Sequence, residues 1–226
     1  MHVKICGVRR EEDALLAAEL GADAIGLLVG RRHGSRDFIE GQLARQIARS
    51  LSGSKAKPVL VTHVPELDEI ERLLRETEIE TVQLHSEILP DAIRELKRRL
   101  PKLKTVKSVH VLSLDSIDYP QPYLDVVDGF VLDSFNPATG QVGGTGLTHD
   151  WSISEKIVAR YRSTRVWLAG GLNAANVRAA IAAVKPFGVD VNSATKGADG
   201  FKDPRKLRDF ITATTASASE QRENKL

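Results

Sequence analysis

Two side chains in this sequence have the chemistry and the position expected of a catalytic base and a catalytic acid. Cys6 ends the apolar run His2–Cys6, and Asp133 ends the apolar run Val127–Asp133. A thiolate acts as a nucleophile or a base where a nearby cation or helix N-terminus lowers its pKa. Burial raises the pKa of a strand-end carboxyl group toward the range of a general acid. The plainer interpretations are a buried structural cysteine and an aspartate that caps a turn.

Turns that follow the last three apolar runs are candidates for binding an anion. Gly143-Gly144-Thr145-Gly146 follows the sixth run, Gly170-Gly171 ends the seventh, and Asn192-Ser193 ends the eighth. Backbone N–H groups exposed by glycine-bearing turns can hold a phosphate. The sequence therefore predicts phosphate binding by Gly144, Thr145, Gly146, Gly170, Gly171, Asn192 and Ser193. For the first of these turns, an ordinary surface loop is the alternative.

Other polar residues end the remaining apolar runs and are candidates for substrate binding. Arg36, in the loop after the second run, has the planar fork that matches a carboxylate. Gln83 and His85 end the fourth run, and His63 ends the third. Each of these residues alone is more typical of a solvated or hydrogen-bonded rim. No pair of His, Cys, Asp or Glu residues has the spacing of metal ligands, so we expect no metal site.

An alternation of apolar runs and helix-period segments must position these side chains. There are eight apolar runs, namely His2–Cys6, Asp23–Val29, Lys57–His63, Thr81–His85, Lys104–Val111, Val127–Asp133, Arg165–Ala169 and Val189–Ser193. Their near-continuous apolarity is typical of parallel strands buried on both faces. Helices are predicted at Arg10–Leu20, Glu66–Glu76, Asp91–Leu100, Ala174–Val184 and from Asp203-Pro204 to about Thr215, with a short turn in Ser113–Asp125.

Eight such units predict an α/β protein that is a single (βα)8 TIM barrel, a parallel eight-stranded barrel with outer helices. One domain spans residues 1–215, and a polar C-terminal tail spans 216–226. An open dinucleotide-binding sheet is disfavoured because no G-x-G-x-x-G follows the first strand. TIM barrels carry their active sites at the C-terminal ends of the strands, so Cys6 and Asp133 are predicted to share one mouth.

Composition narrows the partners of this 226-residue chain. The net charge of +2 gives no electrostatic reason to expect binding to nucleic acid or to a membrane surface. No apolar run approaches the roughly 20 residues that span a bilayer. A single cysteine cannot form an internal disulfide, which favours a cytoplasmic location. The expected partner is a small phosphorylated molecule, and both a monomer and a homodimer remain open.

Short segments along nearly the whole chain match the pattern of one enzyme family. They are Val3-Lys4-Ile5-Cys6-Gly7, Gly21-Ala22-Asp23-Ala24-Ile25-Gly26, Val82-Gln83-Leu84-His85, Leu132-Asp133, Gly143-Gly144-Thr145-Gly146, Asp150-Trp151, Ala169-Gly170-Gly171-Leu172-Asn173, Asn176-Val177 and Gly188-Val189-Asp190-Val191. In this order they resemble phosphoribosylanthranilate isomerase of tryptophan biosynthesis. The K-I-C-G start and the G-G-T-G…D-W block are the most specific of these matches.

The resemblance implies an Amadori rearrangement of N-(5-phosphoribosyl)anthranilate to an open-chain 1-deoxyribulose phosphate that carries the anthranilate. It implies that Asp133 protonates the furanose ring oxygen and that Cys6 then removes the proton from C2. It also implies that Arg36 binds the anthranilate carboxylate. It implies no cofactor, because the Schiff base formed on ring opening is its own electron sink.

Two loops depart from the family pattern. The loop after the second run reads His33-Gly34-Ser35-Arg36-Asp37-Phe38 where the family has K-S-P-R-Y, and Asn192–Lys196 stands where the family has S-S-G-V-E. One alternative is therefore a divergent paralogue that isomerises another phosphorylated aminosugar. A catalytically silent phosphosugar-binding protein is another, although it would have no reason to keep both Cys6 and Asp133. The related histidine-pathway isomerase is disfavoured, because resemblance to it calls for an aspartate in place of Cys6.

Overall fold

Eight parallel strands close into a barrel in the computed structural model. The structure describes all residues except 33, 137–140, 143–147 and 224–226, and it describes the backbone alone for 135–136, 141–142 and 216–223. The barrel strands are β1 (His2–Ile5), β2 (Ala24–Leu28), β3 (Lys57–Thr62), β4 (Thr81–Leu84), β5 (Lys104–His110), β6 (Gly129–Asp133), β9 (Arg165–Leu168) and β10 (Gly188–Val191). Their order around the barrel is β1-β10-β9-β6-β5-β4-β3-β2, and β1 pairs with β2 to close it. The predicted fold is confirmed.

The outer layer consists of helices and short turns between the strands. The helices are α1 (Glu11–Glu19), α2 (Gly41–Ser50), α3 (Leu67–Thr77), α4 (Pro90–Arg99), α5 (Trp151–Arg160), α6 (Val177–Val184) and α7 (Pro204–Glu223). The fifth crossover contains two 3-10 helices, Leu114–Ile117 and Gln121–Tyr123, which fits the short turn predicted there. A hairpin of β7 (Phe135–Asn136) and β8 (Gln141–Val142) follows β6. No helix among the described residues is both long and apolar enough to cross a membrane.

Helix ends differ from the sequence-based expectations at two places. Asn173 caps a turn before α6, since its Oδ1 accepts hydrogen bonds from the backbone N–H groups of Ala175 and Asn176. The helix itself therefore begins at Val177. Near the C-terminus of the chain, α7 continues to Glu223, although a tail was expected from residue 216. The predicted start of α7 is confirmed, because the Asp203 carboxylate accepts from two N–H groups of the first turn.

Alternation along the strands divides the core into two regions. Val3 and Ile5 of β1 point outward and pack in the large apolar cluster beneath the helices. Successive side chains on a strand face opposite sides, so Lys4 and Cys6 point into the barrel. A smaller apolar cluster fills part of that interior, formed by Cys6, Ala24, Leu28, Phe38, Val59 and Val61. The other buried interior side chains include charged groups, and these form the candidate site.

Candidate active site

Cys6 follows the last residue of β1, and its side chain is 8% exposed at the mouth of the barrel. Its backbone N–H donates to the carbonyl oxygen of Val191 at 2.8 Å, which extends the pairing of β1 with β10. Gly26 on β2 leaves the space that the thiol occupies, because an added Cβ there would lie 2.8 Å from the Cys6 Sγ. The same Cβ would lie 3.1 Å from the Lys4 Nζ, so the Cys6 thiol and the Lys4 ammonium both border the space beside Gly26.

Lys4 and Asp190 form an ion pair inside the barrel, one pleat below Cys6. The two residues are register partners on β1 and β10, and the Lys4 Nζ lies 2.6 Å from the Asp190 Oδ2. Both residues are buried, with 3% and 6% exposure. Burial lowers the pKa of Lys4, but the Asp190 and Cys6 charges outweigh that effect and raise it. Lys4 is therefore an ammonium ion at neutral pH.

Asp133 ends β6 with its carboxyl group inside the same mouth, 7% exposed. Its Oδ1 accepts a hydrogen bond from the backbone N–H of Ser134 at 2.8 Å. Burial, followed by the charge of Asp190, raises the pKa of Asp133 to about 7. Asp133 thus keeps a protonated population near neutral pH, which is the state a general acid needs.

The thiol and the carboxyl group share one electrostatic environment. Burial raises the pKa of Cys6, the charge of Lys4 lowers it, and the charge of Asp190 raises it. The same two charges act on Asp133. Cys6 and Asp133 therefore both face the central ion pair from the upper rim, on strands separated by β10 and β9.

A row of three imidazoles lines the rim between β3 and β5. His63 stacks on His85 with ring centroids 4.5 Å apart, and His110 lies 6.0 Å beyond His85. His110 is the register partner of Asp133, so the row leads to the carboxyl group. Burial, followed by neighbouring positive charges, lowers the pKa of His85 and of His110. Both rings are neutral at pH 7.

Gln83 fixes His85 from below. Its Nε2 lies 2.8 Å from the His85 Nε2 and donates to the Ser108 Oγ at 3.1 Å. With Gln83 as the donor, the other ring nitrogen of His85 carries the hydrogen. That nitrogen, Nδ1, is buried and has no partner within the described residues. His85 thus keeps a buried hydrogen-bond donor that no described residue pairs.

On the Cys6 side, a hydrogen-bonded network links the loop after β2 to the loop after β10. Lys202, 3% exposed, donates to the Asn192 backbone oxygen and Oδ1 and to the Thr195 Oγ1. The Asn192 Nδ2 donates to the Asp37 carboxylate, which also binds the Lys196 Nζ at 2.5 Å. Burial lowers the pKa of Lys202 to about 7, and the Cys6 charge opposes that shift.

The predicted phosphate residues lie in three different surroundings. Gly170 and Gly171 have φ angles of +81° and +64°, a backbone that favours glycine. A Cβ on Gly170 would lie 2.7 Å from the Ser134 nitrogen, so this turn packs beside the Asp133 end of β6. The Asn192 side chain is engaged in the network with Asp37 and Lys202, whereas Ser193 is exposed. The predictions for Gly144, Thr145 and Gly146 fall outside the described residues.

Arg36 is exposed, and its neighbour Asp37 takes the buried position in that loop. The backbone oxygen of Arg36 accepts a hydrogen bond from Arg9, which fixes the loop at the rim.

Sequence reasoning missed the interior charges Lys4, Asp190 and Lys202. A usable signal existed for the first two: each is a charged residue within an apolar strand, two positions before a predicted site residue on the same face. Among the described residues, no three His, Cys, Asp or Glu side chains are grouped to hold a metal ion.

Comparisons with known proteins agree on one family. The family model described as N-(5′-phosphoribosyl)anthranilate (PRA) isomerase matches residues 3–213. The chain is 47% identical over 211 residues to N-(5′-phosphoribosyl)anthranilate isomerase 2 of Methanosarcina mazei, covering 93% of this chain and 92% of that protein. It is 38% identical to N-(5′-phosphoribosyl)anthranilate isomerase of Methanocella arvoryzae, over 93% of this chain and 96% of that one.

Solved structures give the same result. The phosphoribosyl anthranilate isomerase of Thermotoga maritima superposes with a TM-score of 0.80 at 32% identity, covering 96% of this chain and 99% of that one. A phosphoribosyl anthranilate isomerase in complex with reduced 1-(o-carboxyphenylamino)-1-deoxyribulose 5-phosphate superposes with a TM-score of 0.77 at 30% identity, with the same coverage.

Proposed function

The chain belongs to the N-(5′-phosphoribosyl)anthranilate isomerase family, and from this premise we propose that Cys6 is the base and Asp133 the acid of its reaction. The protein is an enzyme that isomerises N-(5′-phosphoribosyl)anthranilate in tryptophan biosynthesis. One observation carries the proposal for the two residues. A buried thiol and a buried carboxyl group face the same ion pair at the mouth of the barrel.

Asp133 acts in the first step. Its carboxyl group donates a proton to the furanose ring oxygen, the C1–O bond breaks, and the nitrogen lone pair forms the C1=N bond of a Schiff base. The raised pKa of about 7 supports this role, because an ordinary aspartate would hold almost no proton at neutral pH.

Cys6 acts in the second step. Its thiolate removes the proton from C2, the C–H electron pair forms a C1=C2 bond, and the iminium electrons return to nitrogen. The resulting enolamine tautomerises to the ketone at C2. Burial raises the pKa of the thiol, so the thiolate depends on the Lys4 ammonium, which is the largest influence that lowers it.

The phosphate is proposed to bind at the turns after β9 and β10, with Gly170, Gly171, Asn192 and Ser193. The positive φ angles of the two glycines and their packing beside Ser134 support this assignment, since the phosphate would then lie close to Asp133. Gly144, Thr145 and Gly146 remain predictions from the sequence. Gln83 and His85 are proposed to orient the sugar through the unpaired Nδ1 donor of His85.

The carboxylate of the anthranilate is assigned to Arg36. Support comes from its exposed guanidinium at the rim, in a loop that Arg9 holds in place. A single cysteine supports the proposed cytoplasmic location, and the oligomeric state stays open between monomer and homodimer.

The test is the loss of fluorescence of N-(5′-phosphoribosyl)anthranilate on addition of the enzyme. We expect Cys6→Ser and Asp133→Asn each to lower kcat by about 10²- to 10⁴-fold, as for other general acid–base groups. His2→Phe, at the opposite end of β1, is the matched control for handling and folding. Wild-type activity in either site variant, with circular dichroism unchanged, would refute the assigned role of that residue.

A further inference from the structure

We infer that the Lys4–Asp190 ion pair is an oriented dipole beneath the active site, with its ammonium against the Cys6 base and its carboxylate toward the Asp133 acid. The inference rests on the roles proposed above for Cys6 and Asp133. Lys4 and Asp190 are positioning residues in this view, because they act on the two reacting side chains.

Strand order sets the direction of the dipole. Lys4 lies on β1 together with Cys6, whereas Asp190 lies on β10, which is one strand nearer to β6 and Asp133. The Lys4 Nζ and the Cys6 Sγ flank the same point above Gly26. Both members of the pair are buried, so solvent screens their fields little.

The two charges act unequally on the two catalytic groups, as the geometry requires. For Cys6, the Lys4 charge that lowers the pKa ranks above the Asp190 charge that raises it. For Asp133, the Asp190 charge that raises the pKa ranks above the Lys4 charge that lowers it. The pair therefore draws the two pKa values toward each other.

Other charged groups near these side chains do not share this pattern. Lys202, from the segment before α7, faces Cys6 and lowers the pKa of its thiol. His110 pairs in register with Asp133 and has a lowered pKa, so it is neutral in the working range. Lys4 and Asp190 act on both Cys6 and Asp133 with opposite signs. The Lys4 charge has the larger effect on the pKa of Cys6, and the Asp190 charge has the larger effect on the pKa of Asp133.

Convergence of the two pKa values increases the active population. The reaction needs a thiolate and a protonated carboxyl group at once. With Asp133 near 7 and the pKa of Cys6 above its ordinary value, that population is constant between the two pKa values and falls outside them. Each further unit of separation between the two pKa values lowers the active population tenfold.

A charge-free double variant tests the dipole. In Lys4→Met/Asp190→Leu, we expect the pKa of Asp133 to fall and that of Cys6 to rise by about one pH unit each. In the plot of kcat/KM against pH, the acidic limb then shifts to lower pH and the alkaline limb shifts to higher pH. The value of kcat/KM on the plateau falls about a hundredfold. Limbs that stay in place would overturn the inference.

Single variants test the orientation of the dipole, because each should shift the pH profile in a direction that damage to the fold does not produce. Asp190→Asn should move both limbs to lower pH, and Lys4→Met should move both to higher pH. If Lys4→Met fails to fold because Asp190 is left unpaired, the double variant and Asp190→Asn decide. A drop in rate at every pH, without movement of the limbs, would contradict the dipole.

Alkylation by iodoacetamide gives a readout that does not need the isomerase activity. Cys6 is the only cysteine, so the pH dependence of its labelling reports the pKa of this thiol directly. We expect that pKa to rise in the double variant and to fall in Asp190→Asn. Lys107→Met is the matched control, because Lys107 is a fully buried lysine on the outer face of β5, against Tyr119 and Tyr123. An unchanged thiol pKa in the double variant would refute the dipole even if the catalytic roles of Cys6 and Asp133 were correct.

Discussion

Lysines surround the thiol in the Cys6 half of the barrel mouth, whereas imidazoles line the Asp133 half, and burial lowers the pKa of two of them, His85 and His110. Around Cys6 lie the amino groups of Lys4 and Lys202, and Lys202 is tied through Asn192 to the Asp37–Lys196 pair. Beside Asp133 lie the imidazoles of His110, His85 and His63. The two halves differ in charge although both are buried.

This difference follows from the opposite protonation states that the two side chains need. A thiolate is stabilised by nearby cations, whereas a carboxyl group keeps its proton where burial is not offset by positive charge. The neutral imidazoles of His85 and His110 extend the buried wall beside Asp133. Substitutions confined to one half therefore test this difference.

Outside the catalytic pair, the largest effect is expected from Lys202→Met, which removes one of the two buried amino groups of the Cys6 half. Three hydrogen bonds from the Lys202 amino group are lost, two to oxygens of Asn192 and one to the Thr195 Oγ1. The Asn192 backbone oxygen keeps the Thr195 hydroxyl as a donor, so the Asn192 Oδ1 is the oxygen left without one. At about 1 kcal/mol for each hydrogen bond lost, the free energy of unfolding should fall by about 3 kcal/mol. Denaturant unfolding measures this, with Lys206→Met as the exposed-lysine control. A loss equal to that of the control would show that the network does not stabilise the loop.

Gly26→Ala should mainly affect catalysis, because the added methyl group enters the space between the Cys6 thiol and Lys4. The nearest atoms include the backbone Cα of Cys6 at 3.1 Å, which cannot move aside as a side chain would. Displacement of the thiol by a fraction of an ångström to an ångström should lower kcat by about 10²-fold. Gly34→Ala has open space around the new Cβ and should keep full activity. Equal rates for the two variants would mean that the thiol does not need its present position.

The sequence predicts those features of the site that depend on residues close together in the chain, and it misses those that depend on residues far apart in the chain. The barrel and the positions of Cys6 and Asp133 follow from local patterns, because strand ends in a parallel barrel share one mouth. The Lys4–Asp190 pair joins residues 186 positions apart, so its existence depends on closure of the barrel between β1 and β10. The sequence pattern placed the start of α6 at Ala174 and not at Val177, because Asn173 has typical capping chemistry but uses it in a preceding turn.

The loop after β2 shows the limit of residue type as a guide. Arg36 was singled out because a guanidinium matches a carboxylate, but the structure buries the adjacent Asp37. That burial is possible only because Lys196 and Asn192, distant in sequence, supply partners for the carboxylate. Pairings of this kind depend on two loops that no local pattern connects.

Arg36→Ala tests whether the exposed guanidinium binds substrate. Loss of a charge-assisted contact to the anthranilate carboxylate should raise KM about tenfold and leave kcat nearly unchanged. Arg31→Ala, an exposed arginine at the start of the same loop, is the matched control and should leave KM unchanged. Identical KM values for both variants would remove Arg36 from the site and leave Lys196 as the cation of this corner to test next.

The smallest effect is expected from His85→Phe, which tests the neutral character of the Asp133 half through stability. Because burial and neighbouring charges lower the pKa of His85, the unfolded chain binds a proton below about pH 6.5 that the folded chain does not. The wild-type free energy of unfolding should therefore lose about 1.4 kcal/mol per pH unit from this group as pH falls below that value.

Asp133 contributes with the opposite sign, since its raised pKa makes the folded chain bind the extra proton. Comparing the slope of stability against pH between variant and wild type cancels the Asp133 contribution, and His2→Phe, an exposed histidine, provides the control. We expect a shallower slope in His85→Phe only; the same slope in all three proteins would mean that His85 is protonated in the folded state and that the two halves of the mouth do not differ in charge at low pH.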